Sequence, residues 1–224
     1  MSYAIYEVSP YPGVPFIEPV HTVVTPNSNL VVTVAETKDH LSYPVEDSAI
    51  DTELTGLILA AQRQIELVTG INLLPTVWRA EYPQLSAAVQ LRKRPFQSIQ
   101  SIEYVDSDSG EITTVDTSLY HVANDPQMMA TAYLGKGKLW PSAADRADAY
   151  RITYTSGWTS DEVVPRDIKT AVLMTVAKLD SSRGDVNDAS DSRSAAQIKT
   201  SAKVIPNGAL ALMGPYKLVE VYAA

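Results

Sequence analysis

The chain predicts an α+β fold: a small helical bundle (a short helix, a long helix, a third helix and a short C-terminal helix) with an inserted antiparallel β region and extended arms at both ends. Three observations carry this. An amphipathic stripe of Ile50, Leu54, Leu57, Ile58, Ala61, Ile65 and Val68 recurs at steps of three and four. The stretch 76–155 is rich in β-branched and aromatic residues broken by turn signals. A second helical stripe, Ile168, Val172, Thr175, Val176 and Leu179, follows it.

Residues 1–32 hold Pro10, Pro12, Pro15, Pro19 and Pro26 and show no helical period. Prolines at this spacing favour extended backbone, so an arm is expected there. Its Val20, Val23, Val24, Leu30, Val31 and Val32 are apolar enough to lie against this subunit or a neighbour. Thr33-Val34-Ala35-Glu36 spells a capping box, which opens a short helix over 34–41 ended by Tyr43-Pro44.

The long helix is expected over 48–69, roughly 33 Å at 1.5 Å per residue. Asp47 or Ser48 caps its start, and Asp51 and Glu53 sit where the helix dipole favours negative charge. Gly70 is a natural left-handed stop, and Pro75 forbids continuation. Strands are expected at 76–82, 89–93, 99–105, 111–115, 120–122, 130–134 and 150–155. Asp106-Ser107-Asp108-Ser109-Gly110 makes 99–105 and 111–115 a hairpin, and Gly135-Lys136-Gly137 marks another tight turn.

Pro165 opens the third helix, 165–183, which Gly184 ends. Residues 184–204 form a long polar loop. The last segment, 205–224, reads as a short apolar helix followed by an extended tail. The expected domain organisation is thus an arm (1–32), a domain (33–183), the loop (184–204) and a C-terminal helix with a docking tail (205–224).

Composition narrows the function. Of 224 residues, 45% are hydrophobic and 20% charged, which excludes wholesale disorder. Without cysteine there is no disulfide, thiolate metal site or cysteine nucleophile. No apolar run approaches the roughly 20 residues of a membrane span, and no signal peptide is expected. The net charge of −8 opposes a general grip on phosphates. The one basic cluster, Arg92-Lys93-Arg94, reads first as a solvated strand end, with a specific anion or partner contact as the alternative.

Catalytic patterns are missing. His21, His40 and His121 fall in different elements, without helical metal-site spacing. There is no G-x-S-x-G elbow, dinucleotide fingerprint or phosphate loop. Acidic groups such as Asp106/Asp108 and Asp185/Asp188/Asp191 lie in turns or polar loops. Arg183-Gly184-Asp185 reads as a helix end. No enzyme, cofactor or metal is expected. Trp78, Trp140 and Trp158 read as core or interface anchors, with a sugar-binding platform as the competing possibility.

The order of segments then becomes specific. Val68-Thr69-Gly70-Ile71-Asn72-Leu73-Leu74-Pro75-Thr76-Val77-Trp78 is followed by Leu91-Arg92-Lys93-Arg94-Pro95 and Ser98-Ile99-Gln100-Ser101-Ile102-Glu103-Tyr104-Val105-Asp106. Next come Ser118-Leu119-Tyr120-His121-Val122, Leu139-Trp140-Pro141 and Ile152-Thr153-Tyr154-Thr155-Ser156-Gly157-Trp158. The series closes with Val164-Pro165-Arg166-Asp167-Ile168-Lys169 and Ile205-Pro206, Leu210 and Pro215-Tyr216. This order resembles the head–tail connector, or adaptor, proteins of long-tailed bacteriophages, over roughly residues 33–218. The arm at 1–32 is longer, and the loop at 184–203 more polar, than that pattern.

The resemblance implies a virion protein at the head–tail interface, assembled in the host cytoplasm. It implies a ring of about twelve subunits, joined to the portal protein and to the next connector, stopper or tail protein. Double-stranded DNA would pass through the lumen without sequence-specific binding, and no membrane is involved. Expected portal-docking residues are Leu210, Leu212, Met213, Tyr216, Leu218, Val219, Val221 and Tyr222. Expected subunit or partner contacts are Arg92, Lys93, Arg94, Trp140 and Trp158. A carbohydrate- or host-binding module of a virion is the alternative.

Overall fold

The computed structural model describes residues 19–124, 129–182 and 204–217. The expected polar loop and the tail residues Leu218, Val219, Val221 and Tyr222 lie outside the described residues. The fold is α+β, with helices and antiparallel sheets as expected. The described chain divides into two compact units, one from residues 19–26 and 75–157 and the other from 27–74, 158–182 and 204–217.

The first unit is all β. Its strands are β1 (Val20–Thr25), β2 (Thr76–Tyr82), β3 (Ala88–Leu91), β4 (Phe96–Val105), β5 (Ile112–Thr114), β6 (Tyr120–Asn124), β7 (Ala130–Leu134) and β8 (Tyr150–Ser156). They form a five-stranded sheet in the order β1-β2-β8-β4-β5 and a three-stranded sheet in the order β3-β7-β6, all neighbours antiparallel. Strand alternation sets the core. Along β2, Trp78, Ala80 and Tyr82 turn inward while Val77, Arg79 and Glu81 stay half-exposed. They meet Ile152 and Tyr154 of β8, Ile102 of β4, Val89 and Leu91 of β3 and Ala132 of β7. The β4–β5 hairpin forms as its turn residues demand, with Gly110 at φ 72° and the Asp106 carboxylate accepting from the amides of Asp108 and Ser109.

Part of the expected arm has regular structure. Residues 20–25 form β1 at the edge of the larger sheet, paired to β2 with a bulge between Val23 and Thr25. Pro19 and Pro26 bound a proline-free run of six residues, five of them β-formers, and that run is long enough to pair.

The second unit holds α1 (Val34–Leu41), α2 (Asp51–Thr69), α3 (Arg166–Ser181) and α4 (Asn207–Leu212). Thr33 and Glu36 make the capping box expected of them: the Glu36 amide donates to the Thr33 hydroxyl and the Thr33 amide to the Glu36 carboxylate. A 3-10 turn, Ser48–Ile50, precedes α2, and the Asp47 side chain accepts from the Ala49 amide. α2 buries Leu54, Ile58, Ala61, Gln62, Ile65 and Thr69. The expected stripe is corrected at three places. Val68 is 41% exposed, Leu57 is only half-buried, and Ile50, also half-buried, belongs to the 3-10 turn. The buried face turns instead through Thr69, whose hydroxyl donates to the Ile65 carbonyl and accepts from the Ile71 amide.

Gly70 closes α2 at φ 68°, as the left-handed stop requires. The Leu73 amide then donates to the Glu66 carboxylate and fixes the corner before Pro75. Gln62 ties the incoming chain to α2, accepting from the Val31 amide and donating to the Asn29 carbonyl. Val31 and Val32 are thereby buried within this unit. α3 packs against α2 and α4, burying Ile168, Ala171, Val172, Thr175 and Val176.

Candidate functional site

The basic cluster lies in the β unit just after β3. Arg92 and Lys93 are half-buried and Arg94 is only 2% exposed, which corrects the solvated strand end that the letters favour. The reason is the company of Trp78 and Tyr154. The Lys93 ammonium sits 4.2 Å from the centre of the Trp78 ring, and the Lys93 amide points to the Tyr154 hydroxyl at 3.4 Å. His21 reaches the same place from β1, its Nε2 3.2 Å from the Tyr154 hydroxyl and its ring edge-on to Trp78 and Tyr154.

Burial, followed by the charge of Lys93, lowers the His21 pKa to about 4, so the ring is neutral at pH 7. Burial raises the Tyr154 phenol strongly. The cluster is therefore a basic edge of the core with a neutral histidine beside it at pH 7.

Trp140 is held inside the same unit. Its indole N–H donates to the Ser86 carbonyl at 2.9 Å, and its ring lies against Tyr120, centroids 6.2 Å apart. The turn before it is as expected, with Gly137 at φ 72° and the Lys138 amide donating to the Gly135 carbonyl. His121 stacks on Tyr133 at 5.3 Å. An ion-pair hub joins Arg146 and Arg151 to Asp148, whose carboxyl is held down to about 2 by these hydrogen bonds. It reads as a loop brace.

In the second unit the C-terminal segment folds back on α3. Ile205, Ala209 and Met213 are buried, while Leu210, Leu212 and Tyr216 are half-buried. Close approach is built in at Gly208, where an added Cβ would lie 2.6 Å from the Met174 methyl. Trp158 meets Tyr216 edge-on at 6.5 Å, and the Tyr216 hydroxyl faces the Asp167 carboxylate at 3.4 Å. Burial and that carboxylate both raise the phenol pKa. Of the four described residues expected to dock on a partner, Met213 is thus spent on its own core. The other three keep part of their surface open.

Sequence reasoning missed Lys38. It is almost fully buried, donating to the carbonyls of Val45 and Asp47 and pairing with the Asp51 carboxylate at 2.6 Å. It fastens α1 to the start of α2. A groove of about 420 Å³ in this unit is walled by Val32, Glu36, Asp39, His40, Arg166 and Lys169. Its mixed charges show no convergent donor or acceptor set. Among the described residues no group of three or more His, Asp or Glu side chains is placed to hold a metal ion, and no helix is long and apolar enough to cross a membrane.

No protein-family model matches the chain, and no curated protein matches it in sequence. Solved structures do. A chain in the neck of an empty gene transfer agent particle, computed with C6 symmetry, superposes with a TM-score of 0.69 at 22% identity, over 92% of this chain and 98% of that one. A chain from the virion of a native gene transfer agent particle gives 0.68 at 23% identity, over 91% and 98%. A third, from the neck of a native particle computed with C12 symmetry, gives 0.65 at 22% identity, over 93% and 99%. The chain therefore shares, over almost its whole length, the fold of chains found in gene transfer agent particles and their necks.

Proposed function

We propose that this protein is a structural component of a virion neck, forming a ring between the portal of the filled head and the tail or next connector ring. The observation that carries this is the end-to-end match of its fold to chains of particle necks computed with C6 and C12 symmetry. The same likeness, to a neck computed with C12 symmetry, supports a ring of about twelve subunits. The internal engagement of Trp140 and Trp158 supports it against a sugar-binding module, because neither ring is laid open as a platform.

DNA passes through the lumen in this reading without being gripped. The net charge of −8 repels phosphates and favours sliding over binding. Docking on the portal falls to the C-terminal segment, through Leu210, Leu212 and Tyr216 and then Leu218, Val219, Val221 and Tyr222. The direct test is electron microscopy of particles that carry this protein with an epitope tag. A labelled ring at the portal is the expected result. Particles with an intact neck and no copy of this protein in it would overturn the proposal.

A further inference from the structure

Among the described residues, the strand order leaves β1 and β5 as the two open edges of the five-stranded sheet. They are unlike in chemistry. β1 exposes Val20, Val23 and Val24 at 65, 40 and 45% and has no lysine or proline within it to blunt the edge. Beside it stands the basic pair Arg92-Lys93: the Lys93 ammonium lies 4.2 Å from the centre of the ring of Trp78, which is the register partner of Val23. β5 exposes Ile112 at 56% and is framed by Asp106, Asp108, Glu111 and Asp116, with no lysine or arginine between residues 106 and 116. One edge is apolar with basic flanks; the other is apolar with acidic flanks.

From this complementarity we infer that the occupant of each edge is a second copy of this chain: β1 of one subunit adds to β5 of the next, so that the sheet continues from subunit to subunit. The inference rests on the ring proposed above. A contact between two different patches is heterologous, and it closes into a ring when the rotation between neighbours allows.

The number of strands constrains the pairing. Four antiparallel steps separate β1 from β5, so the two edges run in the same direction. Neighbours in a twelve-membered ring differ by a rotation of about 30°, which nearly preserves strand direction. The added pair is therefore parallel, which separate chains can form without any crossover connection. A twofold dimer would instead join like edge to like edge, antiparallel.

The absence of cysteine makes the test clean. Thr22→Cys with Thr113→Cys, and separately Val20→Cys with Thr114→Cys, place one thiol on each edge of the full chain. Paired strands lie about 5 Å apart, within reach of a short bis-maleimide. Assembled necks carrying either double variant should give a ladder of cross-linked multimers, and the single variants none. Rings that form normally but give no ladder with either pair would overturn the edge pairing and leave the ring standing. Dimers from Thr22→Cys alone would also overturn it, by showing a twofold contact. Failure to find any ring would sink the proposed function, and the edge pairing with it.

Discussion

At the scale of single residues, buried polar groups set the chain's response to pH and substitution. His21 is neutral in the fold and ordinarily titrates near 6.5, but near 4 when folded. Its folded pKa is lowered, so its contribution is present above about 6.5 and lost as pH falls towards 4, where the unfolded chain binds the proton first. His21→Gln should flatten the fall in stability between pH 7 and pH 4.5, measured as the shift in denaturant midpoint. Equal slopes for both proteins would show that His21 is not held neutral against Tyr154, Lys93 and Arg92. Lys38→Ala should destabilise the helical unit by about 1–3 kcal/mol, since two partly buried carbonyls and the Asp51 carboxylate lose a donor that is itself buried. Thr33→Ala should cost about 1 kcal/mol through the cap. The difference in legibility is instructive. Thr33 and Glu36 act within one helical turn and can be read from their letters. Lys38 satisfies carbonyls seven and nine residues further on, and no spacing rule marks that.

Among the elements, α2 offers the sharpest contrast. Ile58 is fully buried and Val68 largely open, although the sequence period puts both on one stripe. Ile58→Asp should prevent soluble folding, because an unpaired carboxylate in the core costs several kcal/mol against a total stability of about 5–15. Val68→Asp should leave the melting temperature within a few degrees of the parent. A similar effect from both would mean that the helix is rotated relative to the buried face described. The strands of 76–82 and 130–134 were legible to the residue, because alternation there coincides with clear turn signals at both ends. β1 was not, since the flanking prolines outweighed a short run of β-formers whose partner strand lies more than fifty residues away. The burial of the basic cluster is hidden from its letters for the same kind of reason. Trp78 and Tyr154, which meet Lys93, come from other strands.

For the whole molecule, the proposed ring sets a mass of roughly 290 kDa for twelve copies. Native mass spectrometry of the purified chain at high concentration, or of isolated necks, checks that number. The C-terminal segment divides at its latch. Met213 and Tyr216 belong to the helical unit through the α3 core, Trp158 and Asp167. Removing residues 218–224 should therefore leave the melting temperature unchanged while filled heads without tails accumulate. Tailed, infectious particles from the truncated protein would show that portal attachment lies elsewhere. The sequence alone carried the α+β class and the order of its parts. It also carried the insertion of the β region between the helices, but not that residues 19–26 of the arm join that β unit, because their partner strand β2 lies more than fifty residues away.

One pairing has a kinetic consequence. Thr76, the first residue of β2, lies opposite Ser156, the last of β8, so the inserted segment leaves and returns within about 5 Å. Before that sheet forms, α2 and α3 are the ends of a tether of about 96 residues; afterwards the path between them is shortened to about 15. The loop-closure entropy spared at the helix interface is about 1.5–2 kcal/mol. The sheet thus acts as a clasp, and the helices should dock late. Pulse-labelled hydrogen exchange should find β2 and β8 amides protected ahead of those in the middle of α3, and Ile152→Ala should delay both. Protection of α3 first would mean that the helices find each other across the open tether.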